Sequence, residues 1–278
     1  MSNNNHSNLS NLNKLLAQPI IMGIVNITPD SFSDGGSNTI LHQTINKIRM
    51  MEQNGVMIID IGGQSTRPGA ELISAETEWR RIEGIIKIFK KEFPNLILSV
   101  DTFYSEVASK ACYLGADIIN DVTMGLGDKN MFYWLRENSI HYVLMHNRAM
   151  PQVMRNYCNY NDLIGEIKLE IQNKLTDLNI DLRRLILDPG FGFSKNLEQN
   201  FILFNHLETL HTFNIPLMVG ISRKSMIFKT LGYSAKEALN GTTALNMLAL
   251  QKGAKILRVH DVKEANEVVK LYTEITRN

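Results

Sequence analysis

Eight short apolar runs punctuate the chain: Ile20–Val25, Val56–Ile61, Leu96–Val100, Ile118–Ile119, Tyr142–Met145, Leu185–Leu187, Leu217–Val219 and Ile256–Val259. They are too short for buried helices and lack a steady polar alternation, the pattern of strands covered on both faces. The segments between them carry a helical period. Trp79, Ile82, Ile86, Phe89 and Phe93 step by three and four, as do Ala265, Val268, Tyr272 and Ile275. Gly241, Ala244, Leu245, Leu248 and Ala249 repeat the spacing with small residues suited to close packing on a sheet. Such alternation predicts an α/β fold with a parallel sheet. An open doubly wound sheet would satisfy it, but eight units in 278 residues match a (β/α)8 TIM-type barrel. No Pro/Gly/Ser-rich linker divides the chain, so a single barrel domain is expected over 19–278. A flexible lead-in is expected over 1–18, and the Asn- and Ser-rich Met1–Asn13 is expected to be disordered.

The polar residues fall on one side of that pattern. Asn26, Asp60 with Gly62–Gly69, Asp101, Asn120–Asp121, His146–Arg148, Asp188–Phe193, Ser222–Ser225 and Arg258–Asp261 each follow an apolar run. Barrel enzymes build their sites from the loops at the C-terminal ends of the strands. One mouth is therefore expected to hold all of these groups.

Two kinds of chemistry are represented. Gly62–Gly69 offers backbone N–H groups, hydroxyls and Arg67. Ser222-Arg223-Lys224-Ser225 opens a helix, and Arg258 and His260 share one strand face. Together these suit a phosphate or diphosphate. Asp101, Asn120 and Asp188 end buried strands, where a carboxylate must be paired. In that arrangement they would read the donor–acceptor edge of a flat heterocycle, although helix capping by Asp101 or Asp121 would also account for an acid there. Asp261 with Glu264 has the spacing of a capping box on the last helix. Gly190-Phe191-Gly192-Phe193 suits a loop that packs flat rings.

Other classes are disfavoured. There is no zinc-type ligand spacing, nucleophile elbow, P-loop or dinucleotide fingerprint. The net charge of +1 gives no field for nucleic acid or an anionic membrane, and no apolar run reaches 18 residues. The two cysteines, Cys112 and Cys158, are read as free thiols, and the cytoplasm is the expected compartment.

Several of these segments are similar to the signatures of dihydropteroate synthases. The resemblance runs from Asn26-Ile27-Thr28-Pro29-Asp30-Ser31-Phe32-Ser33-Asp34-Gly35-Gly36 through Asp60–Gly69, Ser99–Thr102, Ile119–Val122 and Asp188–Phe193. It closes on Ser222–Ser225 and Arg258–Asp261, and so spans about Ile20 to the C-terminus. It implies a folate-pathway transferase that joins 6-hydroxymethyl-7,8-dihydropterin diphosphate to 4-aminobenzoate with Mg²⁺, releasing pyrophosphate. By the same resemblance, Asp101, Asn120, Asp188 and Lys224 hold the pterin. Asn26 lies near Mg²⁺, and Arg258 and His260 bind the diphosphate, with Ser222 in the anion-binding cluster. Thr66, Arg67, Pro68, Phe193 and Ser225 shape the aminobenzoate side. Asp101, Lys224, Arg258 and His260 are the residues expected to carry the chemistry. Family members are homodimers and sulfonamide targets.

Gln64 stands where the second signature has Glu, and Ser194 where Gly follows the aromatic. Both bear on loop shape rather than on the pterin or diphosphate residues. Thr28–Gly36 is expected to act as a closing flap. Three other readings compete with this one. A pterin-dependent methyltransferase would not need the anion clusters. A non-catalytic pterin-binding paralogue has only Gln64 in its favour, and a Schiff-base aldolase would use Lys224.

Overall fold

The computed structural model describes residues 14–27, 37–65 and 69–277. Met1–Asn13, the expected flap Thr28–Gly36, and Thr66, Arg67 and Pro68 lie outside the described residues.

The chain alternates strand and helix throughout. β1 (Ile20–Asn26), α1 (Ser37–Gln53), β2 (Ile58–Gly62), α2 (Ala75–Glu92), β3 (Ile97–Asp101) and α3 (Ser105–Tyr113) come first. β4 (Ile118–Asp121), α4 (Met131–Glu137), β5 (His141–Met145), α5 (Leu163–Leu178), β6 (Leu185–Asp188) and α6 (Leu197–Asn205) follow. β7 (Met218–Val219), α7 (Ser225–Leu231), α8 (Leu239–Gln251), β8 (Ile256–Val259) and α9 (Val262–Ile275) complete the series. The eight strands form one sheet in the order β6-β5-β4-β3-β2-β1-β8-β7, with parallel pairing. The seam between β6 and β7 is narrow: a bridge joins Leu187 to Leu217, and Leu187 N donates to Pro216 O at 2.9 Å. The result is the nearly closed (β/α)8 barrel expected from the alternation.

Side chains on a strand alternate, so each strand sends one row inward and one towards the helices. Met22, Ile58, Ile118, Val143, Ile186, Met218 and Ile256 are fully buried in the cluster that fills the lower barrel. A larger cluster joins the outer strand face to the helices; Ile82, Ile86 and Phe89 of α2 contribute to it. Each fully buried Ile, Leu or Phe contributes about 1.5–3 kcal/mol. Leu16 belongs to the lower-barrel cluster and is 6% exposed, so an ordered plug closes the floor inside the expected lead-in.

Two local devices differ from the sequence reading. Asp261 precedes α9 but makes no side-chain cap; its carboxylate instead receives Arg223 Nε and Nη2, both at 2.8 Å. A charge-assisted pair outcompetes a single backbone N–H for that carboxylate. Asp121 turns away from Asn120, as strand alternation requires. Its carboxylate accepts Thr123 N at 2.7 Å, Thr123 Oγ1 at 2.6 Å and Tyr142 Oη at 2.8 Å, locking the β4 exit loop.

Candidate active site

Strand register sets the height of the site. Asn26 pairs with Gly62, Gly62 with Asp101, and Asp101 with Asn120, so these residues share one tier at the C-terminal rim. A pocket opens there, lined by Asn120, Val122, Met145, Asp188, Phe193, Gly220, Lys224 and Arg258. It contains Asn120, Asp188, Phe193, Lys224 and Arg258 of the residues singled out in the sequence. Asp101 joins them through Arg258.

Below the pocket lies a hub that sequence reasoning placed in a cluster but gave no role. Asp60 is fully buried. Its Oδ1 accepts Ser99 Oγ at 2.6 Å, and its Oδ2 accepts Asn120 Nδ2 and Arg258 Nε, both at 2.8 Å. Arg258 Nη2 reaches Asp101 Oδ2 at 2.8 Å. One guanidinium thus faces two buried carboxylates. Burial raises the Asp101 carboxyl, with Arg258 pulling it down and Asp60 adding to the rise. Burial would lower Arg258, but Asp60 and Asp101 outweigh it and hold the guanidinium firmly charged. The hub was legible in principle: Asp60 and Ser99 each sit two residues before a rim residue, hence on the same inward face.

The hub also orients Asn120. An acceptor-only carboxylate beneath the amide demands the NH₂ group, so Asn120 turns its carbonyl oxygen towards the pocket. Asp188 is 5% exposed. Its Oδ1 accepts Gly190 N at 2.8 Å, and burial raises its pKa while Lys224 pulls it back. Acceptor groups from β4 and β6 therefore border one cavity, and Asp101 of β3 stands behind Arg258.

Lys224 enters from the β7 exit loop, beside Asp188. Its Nζ donates to Phe191 O and stands 4.9 Å from the centre of the Phe193 ring. Burial lowers this ammonium to about 8, with Asp188 opposing the shift. In the glycine–aromatic loop, Phe191 is fully buried against Phe204 and anchors the loop, while Phe193 lines the pocket.

The remaining residues form the rim. Ser222 Oγ lies 3.0 Å from His260 Nδ1 and accepts His260 N at 3.2 Å. Desolvation and the nearby Arg258 hold the His260 ring below its ordinary value. Ser225 opens α7, a helix of only seven residues. Asn26 ends β1 with its side chain exposed.

The two departures from the signatures have visible consequences. Gln64 Nε2 donates to Ser65 O at 2.9 Å and Glu71 O at 3.0 Å, while its Oε1 accepts Ile73 N at 3.0 Å. A glutamate could not make the first two bonds, so the amide staples this loop. Ser194 adopts a left-handed φ of 46°, which suits glycine and costs another residue about 1–2 kcal/mol. Its hydroxyl offsets part of that cost by donating to Asn147 Oδ1 at 2.7 Å and accepting Arg148 N at 3.2 Å.

Fold and site together define a barrel enzyme that takes a flat, polar heterocycle beside an anion. The family model described as pterin binding enzyme matches residues 22–260. The dihydropteroate synthase of Escherichia coli K12 is 39% identical over 259 residues, covering 92% of this chain and 91% of that protein. The solved Xanthomonas albilineans dihydropteroate synthase with 4-aminobenzoic acid superposes with a TM-score of 0.88 at 35% identity, covering 95% of each chain. That of Yersinia pestis, in complex with a sulfonamide drug, gives 0.87 at 38% identity, covering 94% of this chain and 95% of that one. The chain belongs to the dihydropteroate synthase family of pterin-binding enzymes.

Proposed function

We propose that this chain condenses 6-hydroxymethyl-7,8-dihydropterin diphosphate with 4-aminobenzoate to give 7,8-dihydropteroate and pyrophosphate, by dissociative displacement. The observation that carries the reading is a pocket bordered by Asn120, Asp188, Lys224 and Arg258, with Asp101 held beside it through Arg258. The Asn120 and Asp188 oxygens suit the donor edge of an aminopyrimidinone ring. Lys224 supplies a donor to the ring's acceptors, and Phe193 offers an apolar wall for the arylamine.

The chemistry follows from the substrates. The methylene C–O bond breaks and the electron pair leaves with pyrophosphate. The dihydropterin delocalises the resulting positive charge, and the neutral arylamine nitrogen forms the new C–N bond and sheds its proton to water. The protein's task is to stabilise a departing anion and a ring cation. Lys224, Arg258, Ser222 and His260 border the anion side, and an arriving diphosphate would draw a proton onto His260. Asp101 and Asp188 face the ring. In this scheme no residue serves as an obligatory general base.

Among the described residues no group of three His, Cys, Asp or Glu side chains could hold a metal ion. A single exposed amide oxygen from Asn26 fits Mg²⁺, which takes one or two protein ligands and completes its shell with water and substrate phosphate. When bound, the ion would neutralise charge on the leaving diphosphate.

The proposal extends to a homodimer. Phe201 and Ile202 of α6, Leu231 of α7 and Leu248 of α8 are exposed apolar side chains on successive helices, which supports a shared face there. Among the described residues no helix is long and apolar enough to cross a membrane.

The decisive assay incubates the protein with pterin diphosphate and 4-aminobenzoate, with Mg²⁺ or with EDTA, and follows pyrophosphate and dihydropteroate. Both products are expected with Mg²⁺. Pterin binding without either product would mark a non-catalytic paralogue instead.

A further inference from the structure

The loop between β6 and α6 is folded around one buried ammonium. Lys195 is 6% exposed and does not line the pocket. Its Nζ donates to Phe193 O at 3.0 Å and Gly190 O at 3.1 Å, and lies 2.9 Å from Nδ1 of the fully buried His146. On the far side of that ring, His146 Nε2 lies 2.9 Å from Glu170 Oε2. Glu170 is in turn gripped by Arg148, through Nε at 2.9 Å and Nη2 at 2.5 Å, and Arg148 also pairs with Glu166 at 2.6 Å.

This geometry assigns the protons. An ammonium only donates, so His146 Nδ1 must be the bare nitrogen and Nε2 must carry the hydrogen given to Glu170. The imidazole is neutral, in keeping with burial holding its pKa down to about 4. Burial also draws Lys195 towards about 7. A neutral amine could give its two hydrogens to the carbonyls only if His146 Nδ1–H donated to its lone pair, and that would turn a bare Nε2 onto the Glu170 carboxylate or place an imidazolium in a fully buried position. The contacts therefore call for the charged form. Lys195 and Arg148 then balance Glu170 and Glu166, with His146 as the bridge.

We propose that Lys195 is a positioning residue: by drawing together the Gly190 and Phe193 carbonyls, it sets the Phe193 ring and the Phe191 carbonyl that holds Lys224. Gly190 is part of the same device. It has a φ of +73°, and a Cβ there would lie 2.0 Å from His146 O, so only glycine lets the loop lie down on the histidine. Asp188 is less dependent on the ammonium, because strand pairing to Met145 fixes its backbone independently of the loop. Loss of Lys195 should therefore disturb the arylamine wall more than the pterin floor. The assignment of those two sides rests on the proposed function.

The test compares Lys195→Met, Glu170→Gln and the double variant with the parent, by steady-state kinetics and by amide exchange over 190–195 without substrate. Lys195→Met should raise the 4-aminobenzoate KM about tenfold, change the pterin diphosphate KM about threefold or less, and speed exchange at Gly192 and Phe193. Glu170→Gln should shift the same parameter about threefold, and the double variant should be no worse than Lys195→Met. A lowered Tm with both KM values and the exchange unchanged would make Lys195 a stability residue only and overturn the proposal. If the parent forms no dihydropteroate, the proposed function fails. The exchange measurement then still decides the role of Lys195, and unaltered protection in Lys195→Met overturns it.

Discussion

Asp188 and Arg258 both lie at the pocket, but their surroundings give them different sensitivities. Among the described residues Asp188 receives one hydrogen bond through Oδ1, from Gly190 N. Arg258 joins Asp60 and Asp101. Asp188→Ala should thus abolish pterin binding with little loss of fold. Arg258→Ala should leave two buried carboxylates facing each other, and removing one partner of a buried pair costs about 3–5 kcal/mol. Calorimetric pterin binding set beside urea unfolding separates the two; equal stability losses would contradict the assignment. The fold thereby revises the simplest reading of Arg258, since two of its nitrogens are already committed within the protein. Glu78 makes a second case. It is fully buried, neither carboxylate oxygen has a hydrogen-bond partner among the described residues, and burial raises its pKa to about 7, opposed by the charge of Arg81. A raised folded-state pKa contributes stability that is complete below the unfolded value and is lost as pH rises through about 7. Glu78→Gln should therefore gain on the parent between pH 5 and pH 8, by up to about 3 kcal/mol. Parallel Tm–pH curves for the two proteins would refute this.

Among the elements, the β7 and β8 exit loops act as one unit. Arg223 holds a left-handed φ of 55° and binds Asp261 with two nitrogens, while its Nη1 reaches Ala235 O at 3.1 Å and Lys236 O at 2.5 Å. That turn sends Arg223 outward and brings its neighbours Ser222 and Lys224 to the site. The pair is only partly exposed, so it is worth more than a surface ion pair but less than a fully buried one. Asp261→Ala should lower stability by about 1–2 kcal/mol in urea and reduce kcat, because Lys224 and His260 flank the two ends of the latch. Full activity with unchanged unfolding would remove this role. The sequence pointed to Asp261 as a helix cap because local spacing is all that a capping box needs. The partner that took its carboxylate lies 38 residues away.

At the scale of the whole molecule, the barrel needs a floor as well as a mouth. Leu16 packs with Ile20, Met22 and Ile256 at the lower end. Leu16→Ala should cost about 2–3 kcal/mol as a buried large-to-small change, and kcat should be unaffected in the protein that remains folded. A change in KM would show that the floor communicates with the mouth.

The one-dimensional pattern was sufficient for the architecture and for the strand-end acids. Burial on both faces forces a continuous apolar run, and strand alternation then dictates which residues face inward, so Asp101, Asn120, Asp188 and Arg258 were legible. What sequence alone could not supply were the pairings across the barrel. Asp60 meets Arg258 across 198 positions, and Lys195 meets His146 across 49. Such contacts arise only when a closed sheet brings distant strands to the same height, and burial then leaves each charge no partner except the one the fold provides. The polar clusters at the strand ends followed from sequence; the state of each charge, the direction of the Asn120 amide and the framework beneath the site were decided by the closed barrel.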